Sequence, residues 1–221
     1  MAAATDTEAE KRVAAEAAAE LVEDGMAVGL GTGSTVAHLL PALARRGLSG
    51  IRCVATSPAT EEAARELDIA VEEFDTLARL DIAIDGADQV APDGWVIKGG
   101  GGAHLREKIV AAAAERFVVI ADSAKPVEAL TPPVPLELFQ FGLASTLNRL
   151  AVMGDVRRRD VPQSPDGGLI ADFYGEFEDP AELAARLEAD AGVAAHGFFP
   201  ASLVSDVIIG AAGGVEARRI P

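Results

Sequence analysis

The 221-residue chain has one cysteine, few aromatic residues and only four lysines, and each scarcity removes a class of protein. Cys53 has no partner within the chain, so no intramolecular disulfide can staple the fold. It lies in the strand-like run 51–55 and reads as a small core residue. Aromatic side chains make up 5% of the chain against a hydrophobic share of 49%, so the core must be built mainly from Val, Ile, Leu and Ala. That is the composition of buried strands covered by helices. No apolar run approaches the ~20 residues needed to span a bilayer. The first twenty residues alternate Ala with Glu, Lys and Arg, which lacks the apolar centre of a signal peptide and the acid-poor character of a transit peptide. The expectation is a soluble, cytoplasmic protein.

Positive charge is scarce as well. Lys and Arg total 19 against 35 Asp and Glu, a formal charge of −16. A surface of that sign repels nucleic acid and anionic lipid, so neither is expected as a partner. A small phosphate ester stays compatible if a few cations are concentrated in one pocket. The four lysines are Lys11, Lys98, Lys108 and Lys125, beside fifteen arginines, so a lysine here departs from the routine surface cation.

What is present has a rhythm. Ala-rich residues 8–22 read as a helix ended by Asp24-Gly25, and the apolar run 26–31 as a buried strand. Ser34 is placed to cap a helix over 35–46, 51–55 is a strand, and Pro58 opens a helix over 59–67. Strands fit 80–84, 95–98 and 117–121, with a helix over 103–115. Such alternation implies a mostly parallel, Rossmann-like α/β sheet with helices on both faces. Three prolines within 131–135 break it. Beyond them the order is strand 134–138, helix 141–153, strands 155–159 and 168–173, helix 179–190 and strand 193–198, the βαββαβ order of a smaller ferredoxin-like α+β domain. Residues 206–210 look like one more buried strand, returning the chain to the first sheet. The expected division is 1–130, completed by 201–221, for the larger domain and 131–200 for the smaller.

Three segments carry chemistry. Gly29-Leu30-Gly31-Thr32-Gly33-Ser34-Thr35 joins a strand to a helix, where glycines and the free N–H groups of a helix start suit a phosphate. A dinucleotide fingerprint would need a third glycine at position 34, and a P-loop would need Gly-Lys-Ser/Thr. Taken alone, the loop fits a plain tight turn equally well. Asp81-Ile82-Ala83-Ile84-Asp85-Gly86-Ala87-Asp88 ends an apolar strand in carboxylates, and ligands of open α/β sheets sit beyond that end. An Asp-Gly turn capped by its own aspartates is the alternative. Lys98-Gly99-Gly100-Gly101-Gly102 leads into Ala103-His104-Leu105-Arg106-Glu107-Lys108. Four glycines cost backbone entropy to order, which close approach of a ligand to the backbone would explain. Lys98 at the strand end and Glu107 on the next helix can reach one space, as a catalytic pair or as a salt bridge. His38, His104 and His196 lack ligand spacing, so no metal site is expected.

Gly-Thr-Gly-Ser-Thr at 31–35, Asp-Gly-Ala-Asp at 85–88 and Lys-Gly-Gly-Gly-Gly…Leu-Arg-Glu-Lys at 98–108, in this order and spacing, resemble the ribose-5-phosphate isomerase A family over essentially the whole chain. Ala121-Asp122-Ser123-Ala124-Lys125 and Pro133-Val134-Pro135-Leu136-Glu137 resemble its following elements. The resemblance implies phosphate contacts from Lys11, Ser34, Thr35 and Lys125, with Thr32 and Gly33 completing the loop. It places Asp85, Asp88 and Lys98 around the sugar, lined by Gly86, Ala87, Gly99, Gly100 and Gly101, and makes Glu107 the general base. It implies interconversion of ribose 5-phosphate and ribulose 5-phosphate in the pentose phosphate pathway without cofactor or metal, by a homodimer or homotetramer. Gln89 stands where the family usually has Glu, and His104 where it usually has a small or apolar residue.

The chemistry suits these residues. Moving a proton between C2 and C1 of a sugar through an enediolate needs one carboxylate facing both carbons, which Glu107 can supply. Lys98 is the candidate to stabilise the oxyanion. Asp85 or Asp88 could assist ring opening or proton exchange between O1 and O2. The rivals are a sugar-phosphate sensor without turnover, an isomerase, deaminase or lactonase acting on a hexose phosphate, and a nicotinamide dehydrogenase, which the missing third glycine disfavours.

Overall fold

The computed structural model describes the backbone of residues 2–220 and the side chains of residues 7–220. In chain order the elements are α1 (Ala2–Ala19), β1 (Ala27–Leu30), α2 (Val36–Arg46), β2 (Arg52–Ala55), α3 (Pro58–Glu66), β3 (Leu80–Gly86), β4 (Gln89–Val90), β5 (Val96–Ile97), α4 (His104–Ala113) and β6 (Ala114–Asp122). There follow β7 (Val134–Leu138), α5 (Leu143–Leu150), β8 (Val156–Arg158), β9 (Leu169–Phe173), α6 (Pro180–Glu188), β10 (Val193–His196), β11 (Phe198–Phe199), β12 (Asp206–Ala211) and β13 (Gly214–Arg219).

Six strands form the main sheet in the order β13-β12-β6-β3-β1-β2. All neighbours are parallel except the β12/β13 hairpin. Alternation along β3 divides the core in two. Ile82 and Ile84 face the layer of α1 and α2, where Ala14, Ala15, Ala18, Leu39 and Leu43 are buried. Ala83 faces the opposite layer, with Val110 and Ala111 of α4. The small side chains of α1 let the helix approach the sheet closely, which is what an aromatic-poor core requires. At α3, Ser57 accepts a hydrogen bond from the Thr60 N–H and Pro58 fills the first helical position.

The four-stranded sheet has the order β10-β7-β9-β8, antiparallel throughout, with α5 and α6 in the crossovers. This is the ferredoxin-like order expected of βαββαβ. Its core is hydrocarbon: Leu136, Leu138, Leu150, Phe173 and Leu187 are buried. β12 returns to the main sheet beside β6, as expected of residues 206–210.

Three readings are corrected. The strand expected over 95–98 is two residues long and does not join the main sheet; β5 pairs antiparallel with β4 and β11 in a third, three-stranded sheet. The strand expected over 193–198 correspondingly splits into β10 and β11, in different sheets. Ser34 does not cap α2: Thr35 holds the capping position and makes no side-chain cap bond. Among the described residues, no helix is long and apolar enough to cross a membrane.

Candidate active site

The carboxyl ends of β1 and β3, the end of β5 and the start of α4 meet at one cavity of about 110 Å³. It is lined by Thr32 to Thr35, Gly86 to Asp88, Lys98 to Gly101, Glu107 and Lys125. The three segments singled out in the sequence therefore converge, although 53 residues separate Thr32 from Asp85. No side chain caps the start of α2, and although the Ala37 and His38 N–H groups donate to the Gly33 and Thr35 carbonyls, the helix start beside the glycine loop is a suitable seat for an anion. Lys125, on the turn after β6, faces the same space, and among the described residues no carboxylate forms an ion pair with it.

At the inner end three charges are buried together. Lys98 Nζ lies 2.9 Å from Asp85 Oδ2 and 3.1 Å from Glu107 Oε2. It also donates to the Gly86 carbonyl. The Lys98 side chain is 2% exposed and those of both carboxylates 4%, so these charges interact without water between them. Burial pushes the Glu107 carboxyl up, to about 7, with Asp85 adding to the rise and Lys98 opposing it. Burial likewise raises Asp85 against the pull of Lys98. For Lys98, burial works against the ammonium, but the two carboxylates outweigh it and hold the group charged. The Lys98 ammonium also sits 5.4 Å from the centre of the Phe199 ring.

Asp85 and Asp88 occupy different places. Asp85 accepts from the N–H groups of Thr32 (3.0 Å) and Gly86 (2.7 Å) and stands behind the cavity wall. Gly31 is glycine because an added Cβ would lie 2.1 Å from the Asp85 carboxyl carbon. Asp88 faces the cavity and accepts from the Gly100 N–H at 2.7 Å. Any side chain at 100 would place Cβ 2.7 Å from Asp88 Oδ1.

The other expected residues sort as follows. Gly33, Ser34, Thr35, Gly86, Ala87, Gly99, Gly100 and Gly101 line the cavity. The Thr32 hydroxyl, by contrast, is engaged within 2.8–3.2 Å of the hydroxyls of Thr56, Ser57 and Thr60. Lys11, on α1, is held at 2.6 Å by Glu8 and is not among the lining residues. His104 is fully buried beneath Gly99, and burial, with Lys108 and Arg159 nearby, lowers it to about 3, so the ring is neutral. Gln89 turns away to bond Thr131 from both ends of its amide.

Sequence reasoning missed the hydroxyl cluster and Arg159, which donates to the carbonyls of Gly99 (3.1 Å) and Gly100 (2.8 Å). The first carried a faint signal, since Thr56, Ser57 and Thr60 surround the start of α3. Nothing local marks Arg159.

A buried carboxyl poised near neutrality, a fixed ammonium beside it and an anion seat at the far end together make a proton-transfer site for a small anionic substrate. The sequence matches the family model described as ribose 5-phosphate isomerase A (phosphoriboisomerase A) over residues 52–214. It is 46% identical over 218 residues to the ribose-5-phosphate isomerase A of Caulobacter vibrioides, covering 93% of this chain and 96% of that one. The fold superposes on the ribose 5-phosphate isomerase A of Neisseria gonorrhoeae with a TM-score of 0.91 at 34% identity, covering 96% of each chain. A D-ribose-5-phosphate isomerase solved in complex with phospho-erythronic acid gives a TM-score of 0.90 at 32% identity, covering 97% of this chain and 99% of that one. The chain belongs to the ribose 5-phosphate isomerase A family and is an isomerase.

Proposed function

We propose that this isomerase interconverts D-ribose 5-phosphate and D-ribulose 5-phosphate through an enediolate, with Glu107 as the base and no metal. The observation that carries the mechanism is the buried Glu107, raised to about 7 and 3.1 Å from Lys98. In the open-chain aldose, Glu107 takes the proton from C2. The C2 electrons form the C1–C2 double bond, and the carbonyl oxygen at C1 gains the charge. Lys98 meets that charge with a fixed ammonium, the part that a metal would otherwise play. A proton passes between O1 and O2, and Glu107 returns its own to C1, giving the ketose. Asp88, at the cavity wall, is assigned the ring-opening and oxygen-to-oxygen transfers, and Asp85 the fixing of Lys98.

The α2 start and Lys125 hold the phosphate in this reading, with Ser34 and Thr35 nearest. Lys11 enters only if its pairing with Glu8 yields to substrate. Residues 1–130, completed by 201–221, form the catalytic unit, with 131–200 appended. We further assign a homodimer or homotetramer, a reading supported by the exposed Phe139, Phe141 and Val152 around α5.

The test is conversion of ribose 5-phosphate in EDTA by wild type and Glu107→Gln. Wild-type turnover, with a loss of about 10²–10⁴ in the variant at unchanged fold, is expected of a removed general base. A wild type silent until metal is restored, or a variant of near-normal turnover, overturns the mechanism.

A further inference from the structure

Arg159 follows β8 in the four-stranded sheet, outside the cavity, and its guanidinium joins two partners. One edge grips Asp172 of β9, Nε to Oδ2 at 2.8 Å and Nη2 to Oδ1 at 2.6 Å. The remaining nitrogen, Nη1, donates to the carbonyls of Gly99 and Gly100 at 3.1 and 2.8 Å. The Arg159 backbone is itself fixed, its N–H donating to the Ile170 carbonyl at 2.9 Å. The Arg159 side chain is 20% exposed and that of Asp172 13%, so the fork is largely shielded from solvent.

The carbonyl of Gly99 and the N–H of Gly100 belong to one peptide group. Arg159 donates to its oxygen, and its N–H donates to Asp88 Oδ2 at 2.7 Å. A donor on the carbonyl side of a peptide polarises the group and strengthens its N–H as a donor. The run of glycines has little conformational preference of its own. Within the loop the Gly102 N–H also donates to the Gly99 carbonyl at 3.0 Å, so Arg159 adds to that local bond a second donor on the same oxygen, anchored outside the loop.

We propose that Arg159 is a positioning residue for catalysis: held by Asp172, it fixes the Gly99–Gly100 peptide so that this peptide's N–H sets the orientation of Asp88 toward the substrate. The smaller sheet thus acts on the reaction without touching the substrate. The inference rests on the role assigned to Asp88 above.

The experiment uses the full chain with Arg159→Ala, Arg159→Lys and Asp172→Asn. For Arg159→Ala, kcat should fall by about 10–100-fold, as expected when a catalytic group is misplaced rather than removed. KM should change less than threefold, because the phosphate seat is untouched. Added guanidinium chloride at tens of millimolar should restore part of that loss, and Asp172→Asn should show a smaller fall of the same kind. Arg159→Lys carries the test if the alanine variant does not fold, since a lysine cannot grip Asp172 by two bonds and reach both carbonyls; its kcat should also fall with KM retained. The second readout is the Gly100 amide resonance by NMR, which should move upfield and exchange faster in each variant. That readout needs no turnover, so it separates failure of this inference from failure of the isomerase reading, which an inactive wild type would reveal. Folded variants with kcat within twofold of wild type, or a fall in kcat with the Gly100 amide unmoved and no recovery in guanidinium, would overturn the proposal.

Discussion

The two larger sheets are held together by different means. Between the strands and helices of the four-stranded sheet lie Leu136, Leu150, Phe173 and Leu187, and its charges sit at the rim, as in Arg149–Asp190, or on the opposite face, where Glu137 is buried and Arg159 pairs with Asp172. The carboxyl edge of the six-stranded sheet buries Asp85, Lys98 and Glu107 in contact. Hydrocarbon burial stabilises a fold with little regard to direction, whereas a buried charge triad offers little net stability and demands fixed geometry. One sheet is built to persist, and the other to keep reactive groups where water would otherwise dissolve their interactions.

Removing the central cation should break this contrast most sharply. Lys98→Met would leave Asp85 and Glu107 face to face, and loss of one partner of a buried pair costs about 3–5 kcal/mol. Turnover should fall at least about 100-fold with the oxyanion partner gone. Thermal melting and steady-state kinetics on the same preparation check both. Leu187→Ala at the other sheet should lower stability by about 2–5 kcal/mol through the cavity it leaves. It should nevertheless keep kcat close to wild type once folded; a proportionate loss of kcat would show that the hydrocarbon core also tunes the site.

The smallest expected effect concerns pH. Glu107 titrates near 7 in the folded protein against an ordinary value of 4.5, so the folded state holds this proton more tightly than the unfolded chain. Stability from this group is therefore present below pH 4.5 and lost as pH rises through about 7, while activity rises over the same span as the base ionises. Melting temperatures of wild type and Glu107→Gln between pH 5 and 8 should diverge upward, with the variant the more stable at pH 8 by several degrees. Curves that stay parallel would show that Glu107 is not the group titrating there.

The contrast also explains what was legible in the sequence. β1, β3, β6 and β12 announce themselves as apolar runs because both faces of a central strand are buried, and Gly31 and Gly100 are visible because close approach admits no side chain. β4, β5 and β11 are two residues each, too short for any periodicity, and pair across more than a hundred residues in the case of β5 with β11. β13 is almost wholly exposed and polar, an edge strand without an apolar face to betray it. Asp85 and Asp88 look alike in the motif, and only the fold puts one behind the wall and the other on it. Arg159 is one of fifteen arginines, and what distinguishes it is a pair of carbonyls sixty residues away.

The third sheet, small as it is, settles how the molecule can be taken apart. On its way from β10 back toward β12 the chain passes beside the site: the Gly197 carbonyl accepts from the Lys98 N–H at 2.9 Å, and the Gly197 N–H donates to Pro135 at 2.7 Å. Phe198 and Phe199 then pair with Ile97 and Val96. This crossing is a seam sewn through Lys98. The four-stranded unit is consequently no cassette to be excised, exchanged between relatives or swung on a hinge, and any graft must carry residues 197–199 together with β5 and the Lys98 that follows it.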